Sequence, residues 1–285
     1  MPNRKQTPVG LWKACDEMEN VSVAKLHIDL SPFRKPIENC YEAGVQVPTI
    51  PAKRHNEDDI RFAALFLKRT LNDLRAVWLL SLMGYTSQAA SVAASLFEHS
   101  LTVNALAGNS KNAQRLKQTK DGDIPWSPIQ LSKLMATQNQ DEAAIIGKSF
   151  SEKDFDLIWR EVYASYKFLC KIKHPTSRST IHDASSASIN SNEYVVIAAP
   201  DLRQEDLPLK ATVLLISISR TYQAIRRFSL SLECQTDDPY YEDFINRMKN
   251  IAQDAEEAFK QITKNHLPFD ISDDNIAIEY RSLKK

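Results

Sequence analysis

Two long helical patterns separated by a turn of two or three residues restrict this chain more than any other feature it has. From Asn56 to Met83, Ile60, Ala63, Leu67, Leu71, Leu74, Trp78 and Leu82 recur at three-and-four spacing, while Arg61, Lys68, Asn72 and Arg75 fall largely on the other side. Asn56 stands where an N-cap is needed, and Asp58 and Asp59 suit the positive end of the helix dipole. Gly84 stops the pattern, and Thr86 or Ser87 caps a second helix at once. So short a turn folds the two helices back as an antiparallel pair. The second, Ser87 to Ala107, is apolar nearly all round and therefore belongs at the centre of the fold. Its one polar stripe is Ser87, Ser91, Ser95, Glu98 and Thr102. Glu98 carries the only charge there, and a buried charge needs a partner; Lys167, His174 and Arg220 are the candidates.

The rest of the chain continues the helical theme. Ser151 and Asp154 form a box-like start to a helix that runs past Trp159 to His174, where Pro175 ends it. Gly108 to Asp123 reads as a solvated loop or short helix, and Trp126 to Gln138 as another short helix. Leu207 to Leu232 places Leu214, Ile218, Tyr222 and Ile225 on one face, although Ile216-Ser-Ile218-Ser also suits a strand. Asp238-Pro239 opens a last helix that continues to about His266 with a long apolar seam. Tyr194-Val-Val-Ile, within 193–199, is the one extended segment, and a single strand makes no sheet. Six prolines punctuate Met1 to Asn56, so this part reads as a loop-rich arm with only Trp12 to Asn20 briefly helical. Trp12, Leu30, Phe33, Tyr41 and Val45 are its expected anchors. The expectation is an all-α multi-helix bundle: an N-terminal arm over 1–55, a helical domain over 56–267 and a C-terminal tail over 268–285.

Charge and cysteine use narrow the function classes. Lys plus Arg number 36 and Asp plus Glu number 36, so no global field draws the chain to nucleic acid or anionic lipid, and any RNA contact must use a local basic patch. Four scattered cysteines without a CxxC pair or a secretion signal point to a reducing cytoplasm and away from zinc. No apolar run reaches membrane-spanning length. The sequence has no glycine-rich phosphate loop, no HExxH and no GxSxG, so neither cofactor nor metal is expected.

Chemistry-bearing residues gather before Pro175. Tyr163, Tyr166, Lys167, Cys170 and His174 share one side of the helix, and no acidic residue occurs from Val162 to His182. Lys167, Lys171, Lys173 and Arg178 make this end attractive to phosphate. The plainer reading makes His174 a helix terminus and the tyrosines the edge of the core.

Two segments also resemble a known group of proteins. Ala93-Ala-Ser-Leu-Phe-Glu98 and Tyr163-Ala-Ser-Tyr-Lys-Phe-Leu-Cys-Lys-Ile-Lys-His174-Pro-Thr-Ser are similar to the apolar helix ending in glutamate and the Tyr-x-x-Tyr…His-Pro segment of a family of bacterial all-helical proteins catalogued as a domain of unknown function. The resemblance covers roughly Asp58 to Arg178. That group looks similar to the HEPN superfamily (higher eukaryotes and prokaryotes nucleotide-binding), which includes metal-independent ribonucleases of toxin and phage-defence systems. The resemblance implies a helical effector acting on RNA as a homodimer, with a histidine that activates the ribose 2′-hydroxyl and a nearby cation on the phosphate. Those ribonucleases use an arginine a few residues before the histidine. Here Lys167 stands seven before His174, Lys171 three before, and Arg178 follows it. Carried onto these positions, the resemblance implies His174 as acid or base, Lys171 or Arg178 as phosphate clamp, Glu98 orienting the imidazole, and Tyr166 beside them. A non-catalytic helical sensor or adaptor that binds a protein partner is the other expectation.

Overall fold

The computed structural model describes residues 10–120, 123–174, 180–182, 185–186, 188–190, 193–194 and 199–263. It is an all-α multi-helix bundle. The helices are α1 Leu11–Asp29, α2 Arg34–Gln46, α3 Asp58–Leu82, α4 Thr86–Leu106, α5 Ser110–Lys117, α6 Pro128–Ile145, α7 Glu152–Lys173, α8 Leu207–Leu232, α9 Pro239–Met248 and α10 Ile251–Thr263. Extended pairing among the described residues is confined to the short antiparallel pair β1 Ser188–Asn190 and β2 Glu193–Tyr194 and an isolated antiparallel bridge between Ala52 and Cys234. Of the extended segment expected near 193–199, residues 195–198 lie outside the described residues.

The hairpin of α3 and α4 is the frame. The chain reverses at Gly84, whose φ of 84° is open to glycine at no steric cost. A side chain there would also collide, since a Cβ would sit 2.8 Å from Pro200 Cβ and 3.1 Å from the Asp201 amide. α4 then lies in the middle, flanked by α3, α8, α7 and α6. Its alanines let these neighbours approach closely, and Phe97, Leu96 and Leu101 fill the space between them. α7 starts on a capping box in which Ser151 accepts from the Asp154 amide and Asp154 accepts from the Ser151 amide. α8 is helical throughout, which settles its strand-like opening.

The N-terminal segment differs from the loop-rich arm that its prolines suggested. Pro32 lies in a 3₁₀ turn, Ser31–Phe33, that leads into α2, and Pro36 lies in the first turn of α2. The first amides of a helix have no intrahelical acceptor, so a missing N–H costs nothing there. Leu30 and Phe33 are anchors in the common core, as expected. Trp12, at 82 % exposure, Val45 and Tyr41 are not. The expected caps also moved. Glu57 rather than Asn56 precedes α3, and Thr86 turns its hydroxyl away from the α4 backbone. The single last helix is two, because Asn250 adopts a left-handed φ of 73° between α9 and α10. Their apolar seam, Phe244, Met248, Ile251, Ala255 and Ala258, is spent inside this chain. No helix among the described residues is long and apolar enough to cross a membrane.

Candidate functional site

Two polar constellations stand on this scaffold. The first is the face of α7 that the sequence singles out. Glu98 of α4 and Tyr166 of α7 do meet: the phenol donates to the carboxylate at 2.8 Å. Tyr166 also packs its ring against Phe97, with centroids 5.2 Å apart, and stacks on Tyr163 at 6.3 Å. Burial, then the Glu98 carboxylate and Cys170, push the phenol well above its ordinary range, so it remains a proton donor. This bond fixes the rotation of α7 on α4. Tyr166→Phe is expected to lower the unfolding free energy by about 1–2 kcal/mol, because the carboxylate loses its donor; urea unfolding with an unchanged m-value measures it.

His174 lies elsewhere on the same helix. It is the C-cap residue, with φ −83° and ψ 144°, and its side chain is exposed. Eight residues separate it from Tyr166, about 12 Å along the axis. The side-chain partner described for Glu98 is the Tyr166 phenol. Lys171 is half-buried one turn before His174, and Lys173 is exposed beside it. Arg178 lies outside the described residues.

The second constellation was not assembled by the sequence reading. Asp206, at the N-terminus of α8, is fully buried, as is Lys210 one turn on. The Lys210 ammonium donates to Asp206 Oδ2 and, at 2.9 Å, to the Asp201 carbonyl. Thr86 donates to the same carboxylate at 2.5 Å, and His182 Nε2 lies 2.8 Å from its other oxygen. Arg203 grips the Asp201 carboxylate through two nitrogens and reaches the His182 carbonyl at 2.8 Å. One cluster thus ties the start of α4, residue 182, residues 201–206 and α8 together. Its signal in the sequence was Lys210, a lone charge in the apolar opening of α8, four residues after an aspartate.

His182, Asp201 and Asp206 place one ligand atom each within 4.8 Å of one another. Metal binding fits them poorly. Lys210 and Arg203 already lie on these carboxylates, so the positive charge that two aspartates call for is built into the chain. Burial by itself would raise Asp206, but His182, Lys210 and Thr86 outweigh it and hold the carboxyl below its usual range. The Asp206 hydrogen bond raises His182, against opposition from burial and Arg203. A histidine raised on folding stabilises fully below its unfolded value, about 6.5, and loses that contribution as pH rises through the folded value. Wild-type protein should therefore resist urea better at about pH 6 than at about pH 8, and His182→Gln should flatten that slope. An identical slope in the variant would remove His182 from the account.

Comparison with models of known protein families, with curated proteins and with solved structures gives no match.

Proposed function

We propose that this chain is an RNA-directed effector of the HEPN kind that cleaves RNA without a metal at the C-terminal end of α7. The observation that carries the reading is the placement of His174 and Lys171 one turn apart at the end of that helix, in a stretch free of acidic residues from Val162 to His182. His174 serves as acid or base and Lys171 as a phosphate contact; Arg178, which follows the histidine instead of preceding it, is the alternative cation. Glu98 and Tyr166 hold the helix at its angle. A toxin or antiviral setting, and pairing of two copies, belong to the same reading through the resemblance. The test is incubation of purified chain with RNA in the presence of a chelator, beside the His174→Ala variant. Metal-free cleavage that His174→Ala removes supports the proposal.

A second reading, a non-catalytic helical adaptor for a protein partner, draws on the Glu98–Tyr166 bond, which turns the expected catalytic carboxylate into a packing device. It expects no turnover from either protein.

A further inference from the structure

The seam between α8 and the α6–α7 pair is built unlike the other helix contacts. α6 and α7 pack on each other and on α4, and α8 packs on α4 and α3, but α8 makes no comparable packing with α6 or α7. Long side chains from α8 cross the gap instead. Arg226 and Arg227 reach Glu142 of α6 at 2.8 and 3.8 Å, and Arg227 also donates to the Ala107 carbonyl at 3.2 Å. Arg220, two turns before Arg227 on the same face, reaches α6 as well but meets only the Met135 sulfur, at 3.5 Å. A thioether is a weak acceptor and brings no charge. Among the described residues Arg220 makes no ion pair, and its Nε is closed to solvent without a hydrogen-bond partner. One turn on, the side-chain oxygen of Gln223 is enclosed and unpaired in the same way. Arg220 as a whole nevertheless keeps partial exposure, so solvent reaches part of the residue.

A guanidinium keeps its charge, and an uncompensated buried charge is costly. Burial lowers Arg220 to about 10, with the Glu161 carboxylate opposing from outside ion-pair range. The planar fork matches the oxygens of a phosphate or carboxylate, and the Gln223 oxygen accepts from a hydroxyl or ammonium beside that charge. We infer that this seam binds a small oxyanion carrying a neighbouring hydrogen-bond donor, with Arg220 as its cation and Gln223 as its acceptor. Glu161, the part of α7 that faces Arg220, is thirteen residues from His174, about 20 Å along the axis. The site is thus separate from the proposed RNA end, and a result at either leaves the other standing.

The experiment is thermal unfolding of the full chain at constant ionic strength, with chloride as reference and four probes: inorganic phosphate, O-phosphoethanolamine, acetate and β-alanine. The expected result is a saturable rise in Tm for one oxyanion type, roughly 5–10 °C at about a hundredfold excess over Kd. The donor-bearing member of that pair should act at lower concentration, and Gln223→Met should close the difference. Arg220→Met should lose the rise, while its Tm without probe equals or exceeds that of the wild type, because an apolar side chain replaces an uncompensated charge. Should Arg220→Met not fold, Arg220→Lys keeps the charge without the fork and should weaken binding at least about tenfold. The inference is overturned by no saturable response to any probe, or by an undiminished response in the Arg220 variants.

Discussion

Asp206→Ala is expected to lower the unfolding free energy by about 3–5 kcal/mol, roughly a 10²–10⁴-fold loss in the folding equilibrium. The reason is what it strands. Lys210 has no exposed surface, and its ammonium would keep the Asp201 carbonyl as its one remaining partner. Thr86 and His182 would lose their acceptor in the same step. Tm should fall by roughly 6–20 °C, and the urea midpoint should drop at constant m. Lys210→Met should act in the same direction, leaving a buried carboxylate with only a hydroxyl and an imidazole. The double variant Asp206→Leu, Lys210→Met should lose less than either single change, since it removes both charges from the interior. A loss below about 1 kcal/mol in Asp206→Ala would show that the cluster does not hold these segments together. Asp206 adds an acid limb of known sign. Its carboxyl is held below the usual range, so its contribution is present above about pH 3.9 and lost as pH falls through the folded value.

What could be read from the sequence follows from how local each feature is. The Ser151–Asp154 box and the reversal at Gly84 depend on residues within one turn, and both stand as read. The central place of α4 was legible because an apolar surface all round leaves no solvent side. Pro32 and Pro36 misled because a proline breaks a helix interior but suits a helix start, and periodicity alone does not tell the two apart. Asn250 carried no stronger turn signal than any other asparagine, yet its left-handed backbone divides the last helix. The site residues show the same limit. Glu98 needed a partner, and the sequence offered cations; the tertiary fold supplied a phenol, because Tyr166 lies level with it on the adjoining helix. Asp206 and Lys210 have the spacing of an ordinary surface pair, worth a few tenths of a kcal/mol. Only packing against α4 and residues 201–206 makes that pair a buried one.

On the proposed reading, His174→Ala carries the second large effect, and it is an effect on turnover. Metal-free RNA cleavage forms a bond from the ribose 2′-oxygen to phosphorus and breaks the bond from phosphorus to the 5′-oxygen. The 2′-hydroxyl proton passes to a base, and the leaving 5′-oxygen takes one from an acid. The products are a 2′,3′-cyclic phosphate and a 5′-hydroxyl end. An imidazole positioned for either transfer contributes about 10²–10⁴-fold, so the variant should lose that much in single-turnover rate. Because the His174 side chain is exposed, the variant's unfolding free energy should stay within about 0.5 kcal/mol of the wild-type value. Lys171→Ala should act differently, weakening RNA binding and reducing its salt dependence by about one ion, since a lysine contributes as a point charge. Loss of cleavage with stability kept separates a part in the chemistry from damage to the fold, in which rate and stability would fall together. Cleavage that survives His174→Ala, or that a chelator abolishes in the wild type, would remove the imidazole from the reaction and leave α7 as a packing element whose polar face serves only to hold it on α4.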